Sequence, residues 1–185
     1  MGILIILIAL GVLAFYVVSI YNRLVKLRNR SENTWGDIDV QLKRRHDLIP
    51  NLVETVKGYA KHEQSTFQEV TKARSQAIQA RGPEEKSAAE GYLNQVLKSL
   101  FAVAEAYPEL RADQSFLSLQ KELSGLEDAI QNARRDYNAA VRNLNTRCEM
   151  FPSNLVASGF GFQKAGYFEL DAPEERAVPS VTFVS

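Results

Sequence analysis

The segment WGDIDVQLKRRHDLIPNLVETVKGYAKHE, from Trp35 to Glu63, decides the fold. Its apolar side chains recur at alternating steps of three and four residues, which places them on one face of an α-helix packed in a bundle. They are Trp35, Ile38, Leu42, Ile49, Leu52, Val56 and Tyr59. Two residues interrupt the pattern. Arg45 takes a position on the apolar face, and Pro50 lies inside the run, where it removes a backbone hydrogen bond and tends to kink a helix.

The N-terminal stretch before this segment is apolar, and from Gly2 to Tyr21 no side chain is charged. About 20 such residues cross a bilayer core of roughly 30 Å. A cleaved signal peptide and a buried core helix are the alternatives. A signal peptide would need a basic start, a shorter apolar core and a small-residue cleavage site. We therefore expect residues 1–22 to form a retained transmembrane anchor.

Four cations directly follow the apolar stretch: Arg23, Lys26, Arg28 and Arg30. Positive charge beside a span tends to stay in the cytoplasm. This predicts a single-pass protein of the inner membrane, with the N-terminus outside and the bundle in the cytoplasm. The same cations either bind anionic lipid headgroups or serve only as a stop-transfer flank, and both interpretations remain open.

Beyond Glu63 the apolar face continues through Phe67, Val70, Ala73, Ala77 and Ile78. Gly82-Pro83 is the first strong break, so the pattern predicts one helix from Ile3 to Ala80. A second helix should open at Pro83, because proline and the following acids suit a first turn. Its predicted buried face is Leu93, Val96, Leu100, Val103 and Tyr107.

Pro108 should end the second helix, and residues 108–113 are predicted to be a linker with Asp113 as the next N-cap. A third helix then repeats the three-four spacing until Pro152. Its apolar positions are Phe116, Leu119, Leu123, Leu126, Ile130, Ala133, Tyr137, Ala140, Leu144 and Phe151. The predicted class is all-α: a transmembrane helix continuing into an antiparallel up-and-down bundle of three to four long helices over residues 23–152.

The last segment, residues 153–185, is rich in glycine, proline and aromatic side chains. It is too apolar for simple disorder. We expect an irregular tail, with residues 178–184 extended, that packs on the bundle or on a neighbouring subunit. The aromatic residues are Phe160, Phe162, Tyr167, Phe168 and Phe183.

Arg45 is the single position from which the sequence makes the most specific structural prediction. A lone guanidinium buried in a core costs several kcal/mol, so the residue needs an acidic partner there. Possible partners on the third helix are Glu122, Glu127 and Asp128. The alternative is that the helix rotates at Pro50 and Arg45 extends to water.

The sequence contains no catalytic constellation. His46 and His62 are sixteen residues apart on one predicted helix, too far to share a metal, and Cys148 is the single cysteine. There is no nucleophile elbow and no phosphate loop. The formal net charge is zero, which does not favour nucleic acid as a partner. We predict no enzyme activity, no cofactor and no metal site.

Several runs of the chain resemble the LemA family of bacterial single-pass membrane proteins. They are Tyr21-Asn22-x-Leu24-Val25, Gln41-Leu42-Lys43-Arg44-Arg45-His46-Asp47-Leu48-Ile49-Pro50-Asn51-Leu52-Val53, Val56-Lys57-Gly58-Tyr59-Ala60, His62-Glu63, Ala106-Tyr107-Pro108-Glu109-Leu110, Ala133-Arg134-x-x-Tyr137-Asn138 and Phe151-Pro152-Ser153-Asn154. The resemblance implies a helical bundle on an N-terminal membrane helix, with no accepted enzymatic activity. It also implies kinship with a magnetosome-associated branch linked to membrane biogenesis.

We therefore interpret the chain as a membrane-anchored helical scaffold that self-assembles and organises or remodels membrane. The second helix is much shorter than the first and cannot cover its whole apolar face, which favours a homo-oligomer. A monomer is the alternative, in which the tail and the third helix together cover that face and the protein acts as an adaptor for an unidentified membrane protease or signalling partner. The residues expected to support structure or interaction are Trp35, Arg45, Pro50, Tyr59, Glu127, Tyr137, Asn138, Phe160, Phe162 and Phe168.

Overall fold

A computed structural model describes residues 1–169 of the 185-residue chain. Over that range the chain is helical and contains no strand, which confirms the all-α prediction. The helices are α1 (Gly2–Tyr59), α2 (Gln64–Gln79), α3 (Gly82–Glu105), α4 (Pro108–Arg111), α5 (Gln114–Glu149) and α6 (Ser153–Gly159). The stretch 178–184, expected to be extended, lies outside the described residues.

The first helix is shorter than the sequence pattern predicted. α1 continues through Pro50 but ends at Tyr59, and a turn over residues 60–63 precedes α2, so the expected helix from Ile3 to Ala80 is wrong. Arg74 Nε of α2 donates a hydrogen bond to the His46 carbonyl of α1 at 2.7 Å. α2 therefore folds back antiparallel to the end of α1. Gly58 weakens the last turn, and the reversal buries Phe67 and other apolar side chains that a straight helix would leave in water.

The chain divides into two compact units. Unit 1 comprises residues 1–42 and 125–167, and unit 2 comprises residues 43–124 together with residues 168–169. α1 and α5 each contribute one part to each unit.

Unit 2 has a continuous apolar core drawn from the end of α1, from α2, α3 and α4, and from the start of α5. Its buried residues include Ile49, Leu52, Val56, Val70, Leu93, Leu100 and Leu110. Two side chains expected on the buried faces are instead largely exposed: Tyr59 at 39% and Ile78 at 49%. Each lies near the end of its helix, where the neighbouring helices no longer cover it.

The connections in unit 2 follow local chemistry. Gly82 adopts a φ of 72°, a left-handed value that glycine reaches without strain, at the turn into α3. The predicted linker 108–113 contains the single-turn helix α4. Asp113 does cap α5: the Phe116 N–H donates to Asp113 Oδ1 at 2.9 Å, and the Tyr59 hydroxyl donates to Oδ2 at 2.9 Å. These two donors, with the Phe116 N–H as the larger cause, lower the pKa of the Asp113 carboxyl.

Unit 1 pairs the part of α1 before Lys43 with the C-terminal part of α5. The rings of Trp35 and Tyr137 lie 5.2 Å apart, and further back along α1 Leu24 joins a cluster against which Cys148 packs. Since lower numbers on α1 meet higher numbers on α5, the two helices are antiparallel. Phe151, predicted to be the last buried residue of the third helix, is 78% exposed, because α5 ends at Glu149 before it.

Candidate functional site

A buried ionic cluster joins α1 and α3 inside unit 2. His46 Nε2 lies 2.7 Å from Glu90 Oε1, and Arg45 Nη1 lies 3.6 Å from Glu90 Oε2. Arg45 Nη2 also donates a hydrogen bond to Asn94 Oδ1. The side chains of Arg45, His46 and Glu90 are only 6%, 7% and 2% exposed. A cation and an anion are therefore held together away from solvent.

The helices place these groups through simple periodicity. Arg45 and His46 are adjacent on α1, while Glu90 and Asn94 are four residues apart on α3 and so share a face. Arg74 of α2 reaches the His46 carbonyl, which brings a third helix to the cluster. The cluster thus fixes the relative register of α1, α2 and α3.

The geometry of this cluster shows whether Arg45 is buried or extends to water. The guanidinium is buried, so the alternative in which it extends to water does not hold. Glu90 lies on α3 and was not among the predicted partners, and a pairing of Arg45 with Glu122, Glu127 or Asp128 remains a prediction. With all three ionisable side chains at least 93% covered, the arrangement suits a structural role better than a reaction with a soluble substrate.

Other reactive side chains do not form a site in the described part of the chain. Within residues 1–169 there is no group of three or more His, Cys, Asp or Glu side chains placed to hold a metal ion. Cys148 is half-buried against the Leu24 cluster, and burial raises the pKa of its thiol. A thiol with a raised pKa carries less thiolate at neutral pH and is a poor nucleophile.

A polar clamp holds the chain after α6 against α5 in unit 1. Asn145 Nδ2 donates to the Ala165 carbonyl at 3.0 Å, and the Ala165 N–H donates to Asn145 Oδ1 at 2.9 Å. The Tyr137 hydroxyl donates to the Gly166 carbonyl at 2.9 Å. Asn145 was missed in the sequence analysis, although an amide lying between the apolar positions Leu144 and Cys148 is the signal that could have found it.

We expect Asn145→Ala to release the segment around Ala165 while leaving the helices formed. The substitution removes both hydrogen bonds at once, and each is worth about 0.5–1.5 kcal/mol net. Limited proteolysis of the full-length protein should then cut residues 160–167 faster, with unchanged far-UV circular dichroism. Asn143→Ala, an exposed amide on the same helix, is the control. Equal cleavage of both variants would contradict a clamping role.

The remaining predicted interaction residues are distributed over both units. Pro50 is exposed on α1, whereas Phe168 is only 1% exposed in unit 2. Glu127 and Asn138 are half-buried on the part of α5 that belongs to unit 1. Phe160 and Phe162 place their rings 5.0 and 5.6 Å from that of Tyr21.

The N-terminal part of α1 is long and apolar enough to cross a membrane, and no residue of that stretch is fully buried by the described protein. The four cations that follow it are exposed. Arg28 is the most engaged of them, since its guanidinium lies 5.3 Å from the centre of the Phe162 ring and 3.9 Å from Glu32. Arg23, Lys26 and Arg30 extend from the helix directly beyond the apolar stretch.

The relatives found by comparison with known proteins include magnetosome proteins named MamQ and a protein named LemA. Magnetosome protein MamQ 2 of Paramagnetospirillum magneticum is 26% identical over 188 residues, covering 86% of this chain and 69% of that protein. Protein LemA of Metamycoplasma hominis is 26% identical over 171 residues, covering 90% of this chain and 77% of that protein. MamQ of Magnetospirillum gryphiswaldense is 24% identical over 174 residues, with coverages of 80% and 64%. None of these names states a reaction.

The apolar helix and the magnetosome relatives together indicate a membrane-associated protein. Residues 34–183 match the LemA family, and this range includes the Trp35–Glu63 segment, the ionic cluster and the polar clamp. Because the match extends over most of the sequence, the chain belongs to the LemA family.

Proposed function

We propose that this protein is a membrane-anchored helical scaffold that assembles with copies of itself in the inner membrane and organises or remodels the membrane there. The observation that carries the proposal is α1, one uninterrupted helix from Gly2 to Tyr59. It begins as an uncovered apolar stretch of membrane-crossing length and ends in the core of unit 2. The same helix therefore contains the proposed membrane anchor and contributes side chains to a folded core.

Attachment to a membrane favours assembly in two dimensions. Anchored bodies have already lost part of their translational and rotational freedom, so they lose less of it on association. Relatives named as magnetosome proteins support a role at a membrane.

The mass of the full-length protein in lipid nanodiscs and in several mild detergents tests self-assembly. The expected result is a discrete multiple of the 20.7 kDa subunit that persists as the detergent concentration rises. A subunit mass in every detergent and in nanodiscs would contradict the scaffold. It would favour a monomeric adaptor that recruits a membrane protease or a signalling partner.

Orientation is a separate prediction. If the cations from Arg23 to Arg30 hold the body in the cytoplasm, a C-terminal fluorescent protein that matures only in the cytosol should fluoresce. Alkaline phosphatase at the same position, which is active only in the periplasm, should remain inactive. The opposite pattern would overturn the orientation but not the anchor.

Replacing Arg23, Lys26 and Arg30 with glutamine should weaken the orientation and any binding to anionic headgroups.

A further inference from the structure

The link between α5 and α6 exposes an unusual amount of apolar surface. Met150, Phe151, Leu155 and Phe160 are 50%, 78%, 62% and 60% exposed. From Met150 to Gln163 the sequence contains no charged side chain. We call residues 150–160 the apolar corner. Isolated exposed apolar residues are ordinary, but a contiguous uncharged group of large ones marks a surface that another phase or molecule covers.

The position of the apolar corner in unit 1 identifies what covers it. Val156 and Ala157 of α6 form a cluster with Leu24 of α1, and Val17 and Ile20 pack against the same cluster. Val17 and Ile20 belong to the apolar stretch that extends from Ile3 to Ile20. α6 therefore lies beside the end of the membrane-crossing stretch.

The depth of α6 relative to the bilayer follows from helix geometry. Val17 lies three residues before Ile20, which is about 5 Å along the helix axis. If residues 3–20 cross the bilayer, α6 lies where lipid headgroups meet acyl chains. Amphipathic elements at this boundary bury their apolar side chains about 5–10 Å deep. The Tyr21, Phe160 and Phe162 rings, packed together at 5.0 and 5.6 Å, match the aromatic content of membrane interfaces.

We propose that the apolar corner is a second membrane contact, inserted into the cytoplasm-facing leaflet beside α1. Its occupant is the lipid headgroup and acyl-chain boundary, not a second copy of this chain. The inference rests on the membrane anchoring in the proposed function and adds to it a group of side chains that inserts into one leaflet. A group of side chains inserted on one side of the anchor expands one leaflet locally, which gives the scaffold a means of bending the membrane.

Site-specific fluorescence tests this contact in the full-length protein. Single cysteines are introduced in a Cys148→Ala background, labelled with the environment-sensitive NBD group, and reconstituted in phosphatidylethanolamine and phosphatidylglycerol vesicles. Leu155→Cys reports on the apolar corner. Val12→Cys reports on the anchor. Val40→Cys is the matched control, since Val40 is 49% exposed in the same unit but about 29 Å along α1 from Tyr21.

The expected result is that a water-soluble quencher reaches the residue 155 probe severalfold less than the residue 40 probe. Lipids carrying a spin label near the headgroup should quench residue 155 and not residue 40. Equal exposure to water at residues 155 and 40, with residue 12 protected, would overturn the membrane contact while leaving the anchor intact. Exposure of all three probes would overturn both proposals.

A dilution series separates lipid from a neighbouring subunit. The labelled protein is diluted with lipid over a wide range of protein-to-lipid ratios. Protection of residue 155 that is independent of this dilution supports the lipid contact. Protection that disappears on dilution would overturn it, because a second copy would then be the occupant.

Discussion

Replacing Glu90 with alanine should lower the free energy of unfolding by about 3 to 5 kcal/mol, because it removes the buried carboxylate that lies beside the Arg45 guanidinium. His46 loses its 2.7 Å partner in the same change. The measurement is urea unfolding of the full-length protein in mild detergent, followed by far-UV circular dichroism. The midpoint should fall markedly, and the loss should be greatest in unit 2, where hydrogen exchange of α3 would report it.

Glu54→Ala is the matched control for the Glu90 prediction. Glu54 also pairs with a cation, Lys57, at 2.8 Å, but its side chain is 72% exposed. Exposed pairs of this kind contribute about 0–1 kcal/mol. A double-mutant cycle combines Glu90→Gln with Arg45→Met. The double variant should lose less unfolding free energy than the two single variants lose in sum, because it removes both opposite charges. A Glu90→Ala variant as stable as Glu54→Ala would show that the ionic cluster contributes little.

Phe168→Ala should be the second large change, costing about 3 to 5 kcal/mol through the cavity it leaves. Phe168 is 1% exposed and lies close to the end of the described chain, in unit 2. Its neighbour Glu169 accepts a hydrogen bond from Ser87 of α3 through its carbonyl oxygen. The same urea experiment measures the effect. The result would show that Phe168 belongs to the folded core of unit 2.

Phe151→Ala removes the same atoms from a ring that is 78% exposed, so no cavity forms. Its expected effect on unfolding is within about 0.5 kcal/mol. If both phenylalanine variants unfolded at the wild-type midpoint, the burial of Phe168 would make no contribution to stability.

Much of the architecture followed from periodicity alone. The three-four spacing identified α1, α3 and α5, and the proline and glycine signals located the start of α3 and the end of α5. The reversal after Tyr59 could not be read in the same way. Residues 60–63 contain neither glycine nor proline, and the apolar face continues across them at helical spacing. The hairpin there is stabilised by tertiary burial, which local propensity does not report.

The polar residues inside apolar stripes were harder to interpret than the stripes. Glu90 occupies the next position before Leu93 and Leu97 on α3, and its buried location was implicit in that spacing. Predicting a buried Glu90 requires that a core position can hold a carboxylate when Arg45 of another helix lies beside it. Asn145 posed the same difficulty, since its partners are backbone groups of Ala165, which no side-chain pattern reveals.

The division of the chain into units has a consequence for biosynthesis. Residues 43–124 of unit 2 are contiguous, whereas unit 1 joins residues 1–42 to residues 125–167. At about 5–20 residues per second, the ribosome needs roughly 4 to 16 seconds to make the intervening segment. Leu24 and Ile38, fully covered in the finished protein, belong to the half of unit 1 that is made first. Each nascent chain therefore presents an uncovered apolar stripe beside the membrane until α5 emerges, and ribosomes translating the same message bring such stripes within reach of one another.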